Sequence, residues 1–316
     1  MIVNFLKSIV ELNNNIFSFA DVFIENLNLS DWISDAIIDS LHILPLIFLI
    51  FIIIEVIEYF FADKINLIMK RSEKNAPLFG SVAAIFPQCG FSVIASTLYV
   101  EKYITKGSLI AIYLATSDEA IPILLATPKS IGYLIPLIIL KLIIAITVGY
   151  LVDFILKDKK YILKKEDVED IDGCCHHEVI GRRKRDLLLH PLKHTVNIFS
   201  FILLITLVLN GLIELISSNI ELENIVKSFQ VIMPLFTAFF GLIPNCAVSI
   251  ALTMLLIKGS ISFGAALAGL LSNGGLGIII LCKHTENKED TILIVKILLV
   301  VSIVSGFLVQ IVEQFI

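Results

Sequence analysis

Charge is scarce in this chain. Asp, Glu, Lys and Arg supply 17% of its 316 residues, against roughly 25% in soluble globular domains, so a solvated globular surface is excluded. Catalytic signatures are missing too. There is no HExxH, no GxSxG and no Gly-rich Walker A loop, which argues against a metalloprotease, a hydrolase elbow or ATP-driven pumping by this chain alone. No enzyme is expected, and no cofactor. The five cysteines (Cys89, Cys174, Cys175, Cys246, Cys282) form no disulfide framework, because two lie in apolar segments, two are adjacent in a polar loop and one ends a segment. A secretory signal is not evident either, since Glu11 and Asn13 to Asn15 interrupt the first apolar stretch. Residues 1–40 read instead as an amphipathic segment at a membrane interface.

What is abundant is hydrocarbon. Apolar residues make up 57% of the chain and the mean hydropathy is +0.92, values that membrane residence explains. Apolar runs near the spanning length of about 20 residues fall at 41–61, 78–100, 107–127, 131–156, 195–217, 230–257, 259–282 and 290–315. The fold expected is an all-α polytopic membrane protein. Between the fourth and fifth runs lies a connector, residues 157–193, with ten Lys or Arg. The positive-inside rule makes it cytoplasmic, and it divides the chain into membrane repeats at 41–156 and 194–316.

The two repeats resemble each other. Ile85-Phe-Pro-Gln-Cys-Gly-Phe-Ser92 matches Leu242-Ile-Pro-Asn-Cys-Ala-Val-Ser249. Further on, Lys106-Gly107-Ser108 pairs with Lys258-Gly259-Ser260, Ser117-Asp118 with Ser272-Asn273, Lys141 with Lys296, and Glu58 with Glu214. If the segments at 78–100 and 230–257 crossed fully, the basic stretch Lys64 to Lys74 would face outward, against the positive-inside rule. If each is a re-entrant hairpin broken at proline, each half has three crossings and the repeats are inverted. Two half-helices of about ten residues reach roughly 15 Å, to the midplane. The inverted arrangement is therefore expected.

Chemistry concentrates at the breaks. Pro87 and Pro244 remove a backbone donor and clash with the preceding turn, and broken backbone at membrane depth requires protein or a water-filled cavity around it. Inverted-repeat transporters bind solute at such places. Gln88, Cys89 and Ser92, with Asn245, Cys246 and Ser249, put an amide, a thiol and a hydroxyl beside each break. In the next span, Ser117, Asp118 and Glu119 precede Pro122, and the matching stretch holds Ser272 and Asn273 with Gly274 and Gly275 to permit unwinding. Carboxylates in mid-span cost about 2.5–3.5 kcal/mol each and mark ion or proton pathways. Ser117, Asp118, Ser272 and Asn273 are candidate substrate ligands. Glu119 is a candidate proton-coupling group, with Lys141 as its or Asp118's ion-pair partner and Glu55 as a further cavity-facing carboxylate. Cys89, Cys246 and Asp118 are the candidate ligands of a transported metal. In the connector, Cys174, Cys175, His176 and His177 suit soft metals. Contiguous ligands cannot close a tetrahedral site as spaced CxxC pairs do, so a loose capture tract is expected there.

Taken together, the Pro-Gln-Cys and Pro-Asn-Cys elements, Thr116-Ser-Asp-Glu-Ala-Ile-Pro122 and Ser272-Asn-Gly-Gly275 resemble the bacterial ten-helix heavy-metal exporter family, whose members carry the labels arsenic efflux protein and manganese transporter. The likeness runs from about Leu41 onward. It implies secondary-active export of a heavy-metal or metalloid ion across the bacterial cytoplasmic membrane. The implied partners are lipid, the transported ion and coupling protons, with a homodimer left open and no nucleic acid. Two other readings stand beside it: transport of an organic or oxyanionic solute, and a membrane-embedded thiol redox protein or enzyme using Cys89 and Cys246.

Overall fold

The computed structural model describes residues 76–87, 90–116, 119–127, 130–156, 186–217, 229–284 and 288–315, with scattered positions between 30 and 52. Every regular element among them is helical. In chain order these are α1 (Ala76–Ala84), α2 (Gly90–Val100), α3 (Lys106–Ala115), α4 (Ala120–Ala126) and α5 (Ile131–Leu156). There follow α6 (Asp186–Ser217), a 3-10 turn (Gln230–Ile232), α7 (Met233–Gly241), α8 (Cys246–Ile257), α9 (Phe263–Ser272), α10 (Gly277–His284) and α11 (Lys288–Phe315). The membrane-spanning reading rests on length and apolarity. Four stretches among the described residues meet both: 106–126, 131–156, 263–283 and 288–315.

Those four spans differ in surroundings. The first and third, each made of two short helices in line, are 94% and 78% buried over their most apolar windows. The second and fourth, α5 and α11, are 17% and 22% buried. The unbroken helices thus turn apolar faces outward, where hydrocarbon satisfies them, while the broken ones sit inside. This distribution suits the chemistry: freed backbone groups are tolerated only where protein surrounds them.

Several helices of the two halves share one sequence spacing. A spacing of 157 residues separates Ala76 from Met233 and Ala84 from Gly241, the bounds of α1 and α7. It also separates the bounds of α3 and α9, and their caps Thr105 from Ser262 and Thr116 from Asn273. The tight contacts repeat with it. Gly149 lies against Ala111, Gly107 and Pro77, while Gly306 lies against Ala268, Gly264 and Pro234. This spacing corrects part of the register read from sequence. Pro87 with Pro244, Cys89 with Cys246 and Ser92 with Ser249 keep it. However, Gly107 pairs with Gly264 rather than Gly259, Thr116 rather than Asp118 pairs with Asn273, and Lys141 pairs with Leu298 rather than Lys296. Matching polar identities in apolar helices slides the frame by a few residues, whereas helix approach depends on where small residues sit. Lys258 and Gly259 close α8, with Gly259 at φ 69°, while Lys106 and Gly107 open α3. Glu58 lies outside the described residues.

Direction follows from contacts. Thr237 Oγ1 of α7 donates to the Ala265 carbonyl of α9 at 2.7 Å, and one turn on, a Cβ at Gly241 would meet the Gly269 carbonyl and Ser272 Oγ. Both helices therefore advance the same way, and the intervening α8 has to return. In the first half, Pro77 faces Gly149 beside Ala111, and Gly80 faces Ile112, so α1 and α3 are parallel in the same manner. The returning helices then cross over: α2 packs on α10 and α8 on α4. Each half thereby leans on the broken span of the other.

Candidate functional site: the junction of two broken spans

The interruption between α3 and α4 and that between α9 and α10 meet. Thr116 caps α3 in an extended turn (φ −54°, ψ 128°), and Asn273 caps α9 likewise (φ −77°, ψ 88°). Asn273 Oδ1 accepts from Gly275 N at 3.1 Å, the local bond that lets an Asn side chain stand in for backbone in a turn. Gly275 itself has φ 60°, which glycine adopts without steric cost. Across the junction, a Cβ at Gly274 would lie 3.2 Å from the Tyr113 ring of α3.

Lys141 ties the two interruptions together. It rises from the middle of α5 and is 1% exposed. Its ammonium donates to the Thr116 carbonyl and, at 2.8 Å, to the Leu270 carbonyl in the last turn of α9. Helix C-termini carry partial negative charge, so one buried cation serves the ends of two helices from different halves. Glu119, 3% exposed, begins the turn into α4.

A second link joins the halves above this point. Ser96 Oγ of α2 has two carbonyls within reach of its one proton, Ser92 O in its own helix at 2.6 Å and Gly277 O of the other half at 2.9 Å. It also lies 2.6 Å from the Tyr113 hydroxyl, while Ser92 Oγ accepts from Gly277 N at 3.3 Å. Ser92, Ser96 and Tyr113 are fully buried. The register places Thr253 opposite Ser96: Thr253 Oγ1 donates to Ser249 O in its own helix just as Ser96 Oγ reaches Ser92 O. Among the described residues, however, only Ser96 also reaches a carbonyl of the other half, and Ala268 stands opposite Tyr113. The two crossovers are thus chemically unequal.

The outer ends of the broken spans are held by carboxylates. Asp153 accepts from Gly107 N at 3.0 Å and Thr105 Oγ1 at 2.8 Å. Glu313 accepts from Phe263 N and Gly264 N at 3.2 and 3.4 Å. Anions at helix N-termini are favourable.

Of the residues singled out from sequence, the structure places Ser92, Glu119, Lys141, Ser272 and Asn273 in or beside this junction, all buried. Pro87 follows the end of α1 within the first break, and Pro122 is buried in α4. Asn245 is exposed; its side-chain oxygen accepts from Ala247 N at 3.0 Å and caps α8. Cys246 is half-buried as the first residue of α8 and is in no disulfide. Ser249 donates to the Cys246 carbonyl and Ser272 to the Gly269 carbonyl. Gln88, Cys89, Ser117, Asp118, Glu55, Cys174, Cys175, His176 and His177 lie outside the described residues. Among those described, no three His, Cys, Asp or Glu side chains cluster as metal ligands. Sequence reasoning missed Ser96, Tyr113, Asp153 and Glu313. Ser96, one helical turn beyond Ser92, carried the only signal that could have been read.

A helical bundle with outward apolar faces and two buried, interrupted spans is that of a polytopic membrane protein. The chain belongs to the ArsP_2 family, described as "Putative, 10TM heavy-metal exporter", whose model matches residues 28–205 and 183–316. It is accordingly a multi-pass membrane transporter, and its family is one of exporters rather than an enzyme class. No curated protein and no solved structure matches it.

Proposed function

We propose that this protein exports a heavy-metal or metalloid ion by secondary-active transport, through a pocket formed where the two broken spans meet. The observation that carries the reading is the meeting itself: interrupted helices from two halves joined by one buried ammonium. Backbone freed from helical bonding at that depth supplies oxygen ligands. Asp118, Asn273, Ser117 and Ser272 would add side-chain oxygens there, and Gln88, Cys89, Asn245 and Cys246 would line the approach from the two hairpins. Thiols suit thiophilic ions such as arsenite, while oxygens suit manganese. Glu119 would carry the coupling proton.

In this reading the helix pairs α1–α2 and α7–α8 are re-entrant hairpins entering from opposite faces of a bacterial cytoplasmic membrane. The connector 157–193 is cytoplasmic, and its Cys174, Cys175, His176 and His177 gather ions at the entrance. Asp118→Asn tests the pocket. Expression of the wild type in a metal-sensitive host should restore growth on arsenite or manganese, and the variant should lose that protection while reaching the membrane in equal amount. Equal protection by both would exclude Asp118 from the pathway.

A further inference from the structure

We propose that the junction of the broken spans is a monovalent-cation site built of backbone carbonyls, and that the tethered ammonium of Lys141 is its resident cation. Three observations carry this. First, the ammonium reaches two carbonyls that belong to different halves, Thr116 at the cap of α3 and Leu270 in the last turn of α9. Second, the residue is 1% exposed. A charge taken so far from water costs several kcal/mol unless its donors are satisfied, and an ammonium has three donors to place. Third, nothing of like charge stands at the matching position of the other half, which is Leu298, buried at 0%. One cation therefore serves both helix ends.

The physical need is general. Each helix C-terminus carries roughly half a negative charge, and two brought together in a dry interior repel. Carriers with unwound spans commonly relieve this with a sodium ion held by the freed carbonyls. Here the cation is covalently attached, so it neither leaves nor follows a sodium gradient. This assigns Lys141 as a positioning residue that holds the two interruptions at fixed separation, and it makes transport independent of sodium and potassium. The inference extends the transporter reading, but its test involves no transported metal, so either can fail alone.

The test is thermal unfolding of the purified full chain in sodium, potassium, ammonium and choline chlorides at equal ionic strength. Wild type should melt at one temperature in all four. Lys141→Ala, which leaves the carbonyls without their cation, should melt lower in choline. A small cation at tenfold its dissociation constant should then raise it by about 3 °C or more in a saturable way. Lys141→Met fills the space without charge and should melt lower in all four salts with no such rise. The proposal is overturned if wild type is stabilised by sodium over choline, or if Lys141→Ala melts alike in every salt. It fails equally if Lys141→Met is rescued as well as the alanine variant. Failure of both variants to fold in any salt would also defeat it, because an open carbonyl site should accept ammonium.

Discussion

The smallest feature on which the arrangement depends is the missing side chain at points of helix contact. A methyl group at Gly241 would overlap the Gly269 carbonyl and Ser272 Oγ, which are backbone and a bonded hydroxyl rather than a flexible tip. Overpacking of this kind costs about 1–3 kcal/mol. Gly241→Ala should therefore lower the melting temperature by several degrees. Gly132→Ala meets nothing within 4 Å, and should be neutral or stabilising by up to about 1 kcal/mol, since alanine is the better helix former. Comparing the two melts separates contact from propensity. At this scale the sequence was only partly legible. Pro87 and Pro244 announced their breaks because proline acts on its own backbone. Lys141 announced a buried charge, yet the acceptors it reaches include carbonyls of Thr116 and Leu270, and a carbonyl has no letter in the sequence.

Among elements, two kinds of bond hold the broken spans. The outer ends rest on carboxylates, so Asp153→Ala should leave the Gly107 amide and Thr105 hydroxyl without their acceptor. Loss of such a cap costs about 1–2 kcal/mol, measurable by unfolding in detergent. The crossover of α2 on α10 carries hydroxyl contacts between the halves, and the crossover of α8 on α4 shows none among the described residues. Ser96→Ala removes the hydroxyl that meets Tyr113 Oη and reaches Gly277 O at the start of α10 as well as Ser92 O in its own helix. It should cost about 1 kcal/mol, in the range measured for hydrogen bonds between membrane helices. Thr253→Ala breaks only a bond within α8 and should cost less. Equal losses from both would contradict the inequality of the crossovers. Beyond the place of Ser96 one turn after Ser92, little of this was readable beforehand. The helices and their limits follow from apolar runs and breaks, but Ser96, Tyr113 and Gly277 come together from three separate stretches, and only packing decides that.

At the scale of the whole molecule, a spacing of 157 residues relates α1 and α3 to α7 and α9, and the sequence showed it at the two proline breaks and lost it in the spans. Between Pro87 and Ser92 the matching residues are polar and rare, so they mark the frame. From Gly107 onward the frame is kept by glycines and alanines at helix contacts, and the eye is drawn instead to Lys258 or Lys296. The halves differ in charge at this spacing: Glu119 and Lys141 have Leu276 and Leu298 as their counterparts.

The most direct measurement is flux. Proteoliposomes holding the purified chain should take up arsenite or manganese above protein-free vesicles, and the double substitution Cys89→Ser with Cys246→Ser should reduce that flux at least about tenfold while the melting temperature stays within a few degrees; a tenfold loss corresponds to roughly 1.4 kcal/mol of binding or barrier. Flux equal to that of empty vesicles for every ion tested, or flux unaltered by the double substitution, would contradict an ion pathway lying between the two broken halves.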